Sequence, residues 1–280
     1  MKIVSTIEEV RAQVKEWKKE GQSIGFVPTM GYLHEGHMSL IDAAGENDKV
    51  VVSIFVNPMQ FGPMEDLASY PRDLEHDAKL CEEHGVDLIF HPTPEEMYGD
   101  QFYSYVDMDV LTKELCGLSR PVHFRGVCTV VTKLFNIVTP DRAYFGEKDF
   151  QQLAIIREMV RQLKYNLEIV GCSIVREEDG LALSSRNKRL SAEERENALN
   201  ISRTLFKSRN FAATHTVSET QKMVEDAIEA APGLRMEYFE IVDGDSLQDV
   251  DSWEASDYVV GCITVYCGKT PIRLIDHIRY

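Results

Sequence analysis

Short apolar segments alternate with helical patterns along the first 175 residues of the chain. The apolar segments are rich in β-branched residues, as strands buried on both faces of a parallel sheet are. The segments between them repeat apolar residues at three- and four-residue intervals, which is typical of helices. We therefore predict a Rossmann-like α/β fold with a parallel sheet. The predicted strands cover residues 23–27, 49–56, 86–90, 143–145 and 167–175, and the predicted helices cover 38–44, 73–84, 123–138 and 150–163.

The pattern changes after residue 175, where an acidic turn precedes two capping boxes, the signal of a helix start. Two strand patterns follow at residues 235–242 and 258–266. We predict that this part forms a smaller α+β domain, so that the chain divides into domains 1–175 and 176–280. The capping boxes are Ser191 with Glu194 and Ser218 with Gln221.

The chain has a formal net charge of −16, from 30 basic and 46 acidic residues. This excess of acid argues against a nucleic-acid surface, which needs dense lysine and arginine. No apolar run approaches the roughly 20 residues of a membrane span, and no signal-peptide pattern is present. We therefore expect no membrane partner and a cytoplasmic location. The six cysteines form no C-x-x-C pair, which favours free or buried thiols over a zinc ribbon.

A His-x-Gly-His step, from His34 to His37, lies between a predicted strand and a predicted helix. Two imidazoles three residues apart at a helix start point toward one region, and each can donate an N–H to an anion. Backbone N–H groups and the helix dipole add to this preference for negative charge. Gly36 leaves room for a ring or a sugar against the backbone. We interpret the step as a nucleotide phosphate site; the alternative is a pair of solvent-facing histidines at a helix end.

Four other polar clusters follow strand ends or lie at the domain junction, where ligands of α/β sheets bind. The two common glycine-rich phosphate loops are absent from the sequence, so a nucleotide would depend on such clusters. Lys148 could reach a triphosphate, with Asp149 capping a helix or helping to hold magnesium. Each cluster alone also fits an ordinary polar loop, but their joint position favours nucleotidyl transfer. The clusters are Asn57 with Gln60, Arg120 with His123, Lys148 with Asp149, and Ser184 and Ser185 with Arg186.

Taken together, these clusters resemble those of the pantoate–β-alanine ligase (pantothenate synthetase) family, and the resemblance runs over nearly the whole chain. The resemblance implies a nucleotidyltransferase-type Rossmann domain and an ATP-dependent ligase of pantothenate and coenzyme A biosynthesis. Pantoate and ATP would give pantoyl adenylate and pyrophosphate. The amine of β-alanine would then displace AMP to give pantothenate. The most specific stretches are residues 27–37, 51–61, 123–127, 145–152 and 179–187.

The resemblance also implies an ATP site and a set of catalytic residues. His37 would be the proton donor, and His34, Lys148 and Arg186 would act with it near the phosphates. The whole implied ATP site comprises Met30, Gly31, Tyr32, Leu33, His34, Glu35, Gly36, His37, Gly146, Glu147, Lys148, Asp149, Val175, Leu183, Ser184, Ser185 and Arg186.

For the other substrates, the resemblance implies that Gln60 contacts pantoate and β-alanine and that Gln152 contacts pantoate. Asn57, Arg120 and His123 would lie around the same site. ATP would act with Mg²⁺, whose protein ligands the sequence does not identify, and no organic cofactor would be tightly bound. The partners would be small molecules, the protein would be a homodimer, and the C-terminal domain would close over the site as a lid.

Two other functions also fit these residues. One is an adenylyl- or cytidylyltransferase that shares the His-x-Gly-His step and has a phosphate acceptor. The other is a nucleotide sensor that binds without turnover. The presence of both histidines with Lys148 and Arg186 favours an enzyme over a sensor.

Overall fold

The computed structural model of the protein describes residues 1–63, 65 and 67–280, which contain two β-sheets. The strands are β1 Lys2–Val4, β2 Ile24–Thr29, β3 Lys49–Ile54, β4 Leu88–Phe90, β5 Arg142–Gly146, β6 Glu168–Cys172, β7 Leu234–Asp243, β8 Val259–Cys267 and β9 Ile272–Arg279. The larger sheet is parallel, in the order β1-β4-β3-β2-β5-β6, and the smaller is antiparallel, in the order β7-β8-β9. The predicted α/β class, with a parallel sheet followed by a smaller α+β part, is confirmed.

Helices cover both faces of the larger sheet and pack against the smaller one. They are α1 Ile7–Lys19, α2 Glu35–Ala44, α3 Leu74–Glu83, α4 Pro94–Tyr98, α5 Cys116–Ser119, α6 His123–Val138, α7 Phe150–Gln162, α8 Ala192–Ala212 and α9 Val217–Glu229. Short 3-10 turns occur at Pro58–Gln60, Leu111–Lys113, Ser185–Arg189 and Trp253–Ala255. Among the described residues, no helix has the length and apolar character needed to cross a membrane.

The strands of the larger sheet are apolar on both faces because each face is covered. Phe26 and Val51 pack into a cluster with α1, α6 and α7, whereas their neighbours Val27 and Val52 pack with α2 and α3. Successive side chains of a strand point to opposite faces, so one continuous apolar run serves both clusters. A third cluster joins α8 and α9 to the antiparallel sheet.

Parallel pairing places the ends of several strands at one edge of the larger sheet. β2 pairs with β3 on one side, where Thr29 lies opposite Ile54, and with β5 on the other. β5 in turn pairs with β6, with Gly146 opposite Cys172. Helix α2 follows β2, the turn at Pro58–Gln60 follows β3, and α7 follows β5. Three of the predicted polar clusters therefore converge at this edge.

Two strands that the sequence pattern did not predict complete the sheets. β1 has three residues, too few to show a period, and within the described part of the chain it pairs with β4 alone. In β9 the buried face includes Asp276, which lies among alternating apolar residues and is 5% exposed. A carboxylate on that face interrupts the alternation of apolar residues by which a strand is predicted. The ion pair of Asp276 with Arg176 explains how the carboxylate can be buried there.

The predicted helix starts are partly confirmed. Ser191 and Glu194 form the predicted capping box of α8. The predicted box at Ser218 with Gln221 is wrong, because the capping residue of α9 lies two positions earlier. There Thr216 accepts the N–H of Glu219 at 3.2 Å, and the Glu219 carboxylate accepts the N–H of Thr216 at 2.8 Å.

A buried ion pair links the segment after β6 to the smaller sheet. Arg176 donates from both terminal nitrogens to the two carboxylate oxygens of Asp276, at 2.7 and 2.8 Å. The Asp276 side chain is 3% exposed and that of Arg176 is 19% exposed. Such a bidentate pair has a defined geometry, which orients the segment that leads to Leu183 and Ser184.

Removal of the Asp276 carboxylate should destabilise the protein. In Asp276→Ala the guanidinium of Arg176 loses its buried counterion, and we expect the free energy of unfolding in urea to fall by about 3 kcal/mol. Asp226→Ala is the matched control, since Asp226 pairs with Lys222 on the surface of α9 and should contribute little. Equal unfolding curves for the two variants would contradict this account.

Candidate active site

A cavity of about 1300 Å³ opens at the strand-end edge of the larger sheet. Its wall contains the ends of β2 and β5, the first turn of α2, and the start of the 3-10 turn at Ser185–Arg189. A second cavity of about 1520 Å³ extends toward the antiparallel sheet. The two cavities have Lys148, Asp149, Gln152, Ser184 and Arg186 in common. Because they share these residues, the two cavities are adjacent.

The first turn of α2 is built by its own two histidines. His34 caps the helix, and its Nδ1 accepts the N–H of Gly36 at 3.1 Å. His37 Nδ1 accepts the N–H of His34 at 3.3 Å, and the two ring centroids are 4.1 Å apart. A Cβ on Gly36 would lie 2.9 Å from His34 Cε1, so the ring that this glycine accommodates in the structure is that of His34.

Both imidazoles are neutral at pH 7, and each presents its Nε2 proton. Burial, followed by the charges of Lys148 and Lys188, lowers the pKa of His34 to about 4. Burial, followed by His34 and Lys148, lowers the pKa of His37 to about 3. Because each Nδ1 accepts a backbone N–H, the single ring proton of each histidine resides on Nε2. The helix start therefore offers two directed, uncharged donors.

A buried carboxylate that the sequence analysis missed holds the loop before α2. Asp77 on α3 accepts the N–H groups of Tyr32 at 2.8 Å and Leu33 at 2.7 Å. Tyr32 and Gly31 have positive φ angles of 56° and 84°, and a Cβ on Gly31 would lie 2.9 Å from an Asp77 oxygen. Burial raises the pKa of Asp77. A signal was present, since Asp77 lies on the inner face of the predicted helix 73–84, one turn before the buried Cys81.

An amide cluster follows β3 and lines the same cavity as His37. The Asn57 Nδ2 group donates to Gln60 Oε1 at 3.0 Å and to the carbonyl of Gly126 at 3.2 Å. Gln60 Nε2 lies 3.4 Å from the sulfur of Met30, a weak acceptor. His123 on α6 lies 2.9 Å from the Gln60 carbonyl through Nδ1, and burial lowers its pKa to about 4. These contacts leave Gln60 with its NH₂ group directed toward the cavity.

The remaining polar groups make the cavity suited to an anion. Lys148 and Arg186 lie in its wall, and Asp149 is the one carboxylate among the described lining residues. Asp149 occupies the N-cap position of α7, one of its two predicted roles, but in the described part of the chain its side chain makes no capping hydrogen bond. Ser184 Oγ accepts the N–H of Arg186 at 3.3 Å, which orders the turn after Leu183. The described residues contain no cluster of three metal-ligating side chains.

Most of the predicted site residues line the first cavity. They are Met30, His34, Gly36, His37, Asn57, Gln60, Gly146, Lys148, Asp149, Gln152, Val175, Leu183, Ser184, Ser185 and Arg186. Arg120 and His123 line the second cavity instead, and Arg120 is paired with Glu65, with Nε and Oε1 2.9 Å apart. The predicted residues outside both walls are Gly31, Tyr32, Leu33, Glu35 and Glu147.

Other lining residues carried no sequence signal. Tyr70 belongs to a polar loop, and its ring packs edge-on against Phe61 with centroids 6.0 Å apart. Ser173 and Ile174 follow β6, whose predicted range extended through residue 175, whereas the strand ends at Cys172. The early end of β6 turns this segment into cavity wall.

Comparison with known proteins agrees with this geometry over the full length. The family model described as pantoate-β-alanine ligase matches residues 2–279. A pantothenate synthetase of Bacteroides thetaiotaomicron is 63% identical over 284 residues, covering 100% of this chain and 99% of the relative. That of Ruminiclostridium cellulolyticum is 56% identical, with the same coverage.

Solved structures show the same relationship. The pantothenate synthetase of Thermus thermophilus superposes with a TM-score of 0.93 at 46% identity, with 99% of each chain covered. The pantoate-β-alanine ligase of Francisella tularensis, solved with β-γ ATP and β-alanine, has a TM-score of 0.81 at 34% identity and covers 100% of this chain and 97% of its own. The chain therefore belongs to the pantoate–β-alanine ligase family.

Proposed function

We propose that this chain uses ATP to condense (R)-pantoate with β-alanine, giving pantothenate, AMP and pyrophosphate, as a step of coenzyme A biosynthesis. The proposal rests on one observation: a single cavity contains hydrogen-bond donors suited to phosphate and a side-chain amide whose orientation is fixed. His34, His37 and Lys148 line this cavity together with Gln60 and Gln152. A nucleotide and a small hydroxy acid can thus bind side by side.

The ATP phosphates would bind at the start of α2. The Nε2 protons of His34 and His37 would donate to phosphate oxygens there, and Lys148 and Arg186 would neutralise their charge. Ser184 and Ser185 would add donors from the facing turn. The backbone of residues 30–37 and 146–149, with Val175 and Leu183, would complete the nucleotide site. Within that set, Gly31, Tyr32, Leu33, Glu35 and Glu147 would act through the backbone that they shape.

Pantoate would bind beside the phosphates, against Gln60 and Gln152, and β-alanine would approach the same position. An amide NH₂ suits a carboxylate or a hydroxyl oxygen. Asn57 is fully buried, so we assign it to the support of Gln60. Arg120 and His123 would bound the site from the second cavity, with the His123 ring holding the Gln60 carbonyl.

In the first step, a pantoate carboxylate oxygen would attack the α-phosphorus, and the bond to pyrophosphate would break. In the second step, the β-alanine amine would attack the acyl carbon, lose a proton, and release AMP with the bonding electrons. Alignment and stabilisation of the charge that moves onto pyrophosphate would supply most of the catalysis. His37, the proposed proton donor, would donate a hydrogen bond from its Nε2–H to the oxygens on which that charge develops. No covalent bond to the protein is required.

Magnesium would enter with ATP. Mg²⁺ in such enzymes is bound by substrate phosphates and one or two carboxylates, and it supplies charge neutralisation. Asp149 fits this role because it lines both cavities beside Lys148 and its side chain makes no capping hydrogen bond among the described residues. No tightly bound organic cofactor is needed for either step.

We also propose how the chain divides into two domains. We place the substrate-binding domain at residues 1–175 and the lid at 176–280, since the parallel sheet ends with β6 and the antiparallel one follows.

A cytoplasmic location fits six free cysteines. A homodimer fits the large apolar side chains exposed between residues 101 and 122, and sedimentation velocity would test it. Those side chains are Tyr103, Tyr105, Val110, Leu118 and Val122.

The order of product release tests the reaction itself. We expect pyrophosphate release to require pantoate and AMP release to require β-alanine, both measured by coupled assays with Mg²⁺ and lost when EDTA is added. An adenylyl- or cytidylyltransferase would instead leave the nucleotide on its product. Tight ATP binding without any turnover would favour a nucleotide sensor.

Loss of a phosphate donor should slow adenylation without unfolding the protein. We expect His37→Ala and Lys148→Ala to lower pantoate-dependent ATP/pyrophosphate exchange by at least ~10²-fold, because stabilisation of the transferred charge is lost. Lys222→Ala, an exposed lysine on α9, is the control and should exchange normally. Near-normal exchange in either site variant would show that the phosphates bind elsewhere.

The charge state of the two histidines gives an independent check. Their pKa values, about 4 for His34 and about 3 for His37, predict neutral rings with a proton on Nε2 between roughly pH 8 and pH 5.5. Nitrogen-15 NMR of the ligand-free protein would report the tautomer, with His37→Ala providing the assignment. A ring whose pKa lies near the ordinary value of histidine would contradict the effect of burial, and a ring proton on Nδ1 would contradict the hydrogen bonds described at the start of α2.

A further inference from the structure

Tyr98 lines neither cavity, but it contacts the amide cluster through Asn57. It is the last residue of α4, and its Oη lies 2.6 Å from Asn57 Oδ1. Burial raises the pKa of the Tyr98 hydroxyl, so it keeps its proton and can donate. Tyr98 therefore touches the site through Asn57, with no direct exposure to a bound substrate.

The orientation of the Asn57 amide is set by backbone groups that can act in only one way. The N–H of Met59 can only donate, and it lies 3.2 Å from Oδ1; the carbonyl of Gly126 can only accept, and it lies 3.2 Å from Nδ2. Oδ1 is thus an acceptor facing Tyr98, and Nδ2 is the donor to Gln60 Oε1. All four hydrogen-bonding positions of Asn57 are occupied, and its side chain is fully buried.

This chain of contacts decides which end of the Gln60 amide faces the cavity. Because Oε1 of Gln60 accepts from Asn57, its NH₂ group is left to face Met30 and the cavity. The backbone of the two segments also lies close together, since a Cβ on Gly126 would clash with the Met59 carbonyl. A change in the position of the Asn57 amide would therefore change the position of the Gln60 side chain.

We propose that Tyr98 is a positioning residue that, through Asn57, holds the NH₂ group of Gln60 as a hydrogen-bond donor to the hydroxy-acid substrate. The inference rests on the proposed contact between Gln60 and pantoate. Without the Tyr98 hydroxyl, Asn57 Oδ1 keeps only the 3.2 Å bond to Met59, so the Asn57 amide, and with it the donor that Gln60 Oε1 accepts, is held less firmly. The consequence is weaker binding of the acid, with ATP binding unaffected.

The ring of Tyr98 is held independently of its hydroxyl, which makes a clean substitution possible. It packs against Phe55 and Phe102, with centroids 6.2 and 4.9 Å away, and Lys133 Nζ lies 5.4 Å from the ring centroid. Tyr98→Phe keeps all of these contacts and removes one hydrogen bond. Tyr103→Phe is the matched control, because its hydroxyl bonds Gln101 on the surface at 2.8 Å.

We expect Tyr98→Phe to raise the KM for pantoate by about 5- to 10-fold, as loss of one buried hydrogen bond would. The KM for ATP should stay close to that of Tyr103→Phe, and the thermal midpoint should fall by only a few degrees, as loss of one buried hydrogen bond would cause. In the Asn57→Ala background the same substitution should have no further effect, because its route to Gln60 is gone. A pantoate KM that is unchanged in Tyr98→Phe, or an equal additional effect in the Asn57→Ala background, would overturn the proposal.

Gln60→Ala separates failure of this inference from failure of the proposed function. If it raises the pantoate KM while Tyr98→Phe behaves like Tyr103→Phe, the acid binds as proposed and only the role of Tyr98 is wrong. If Gln60→Ala leaves the pantoate KM unchanged, the assigned contact and the role of Tyr98 both fail. Direct pantoate binding by calorimetry gives the same comparison if turnover becomes too slow to measure.

Discussion

Parallel pairing of β2 with both β3 and β5 is the constraint on which the cavity depends. The pairing puts the residues after three strands at one edge of the sheet, and each exit carries a polar cluster. β2 pairs with β3 through all six of its residues and with β5 at Gly25 and Phe26, and a shift of one residue would send each apolar side chain to the opposite face. The two covered faces therefore also hold His34, Gln60 and Lys148 in their relative positions.

Burial gives these polar groups their direction. A histidine in water exchanges between charged and neutral forms near pH 7, whereas His34 and His37 stay neutral because burial and nearby lysines oppose protonation. Their Nδ1 atoms are used by the backbone, so the donor direction is decided. The amides of Asn57 and Gln60 are directed by the same rule, that a buried polar group must find its partner.

Much of the site was predictable because its residues lie in short, local patterns. The His-x-Gly-His step, the pair Lys148 and Asp149, and the Ser184 to Arg186 turn all line the cavity as expected. Asp77 and Tyr98 were not predicted, although each contacts the site directly or through one residue. They are separated from their partners by 45 and 41 residues, so neither contact leaves a spacing to recognise, and the only sequence signal was the position of Asp77 on the inner face of its predicted helix.

The sequence by itself determined the α/β alternation, the strand exits and the residue types proposed to bind a nucleotide, since these follow from local periodicity and from short motifs. Only the tertiary structure decided which strands are neighbours, which imidazole nitrogen carries its proton, and which end of the Gln60 amide faces the cavity. The reason is physical: the sheet order and the hydrogen-bond partners depend on groups brought together by packing. The chemistry of each group is local, but its direction comes from residues far away in the chain.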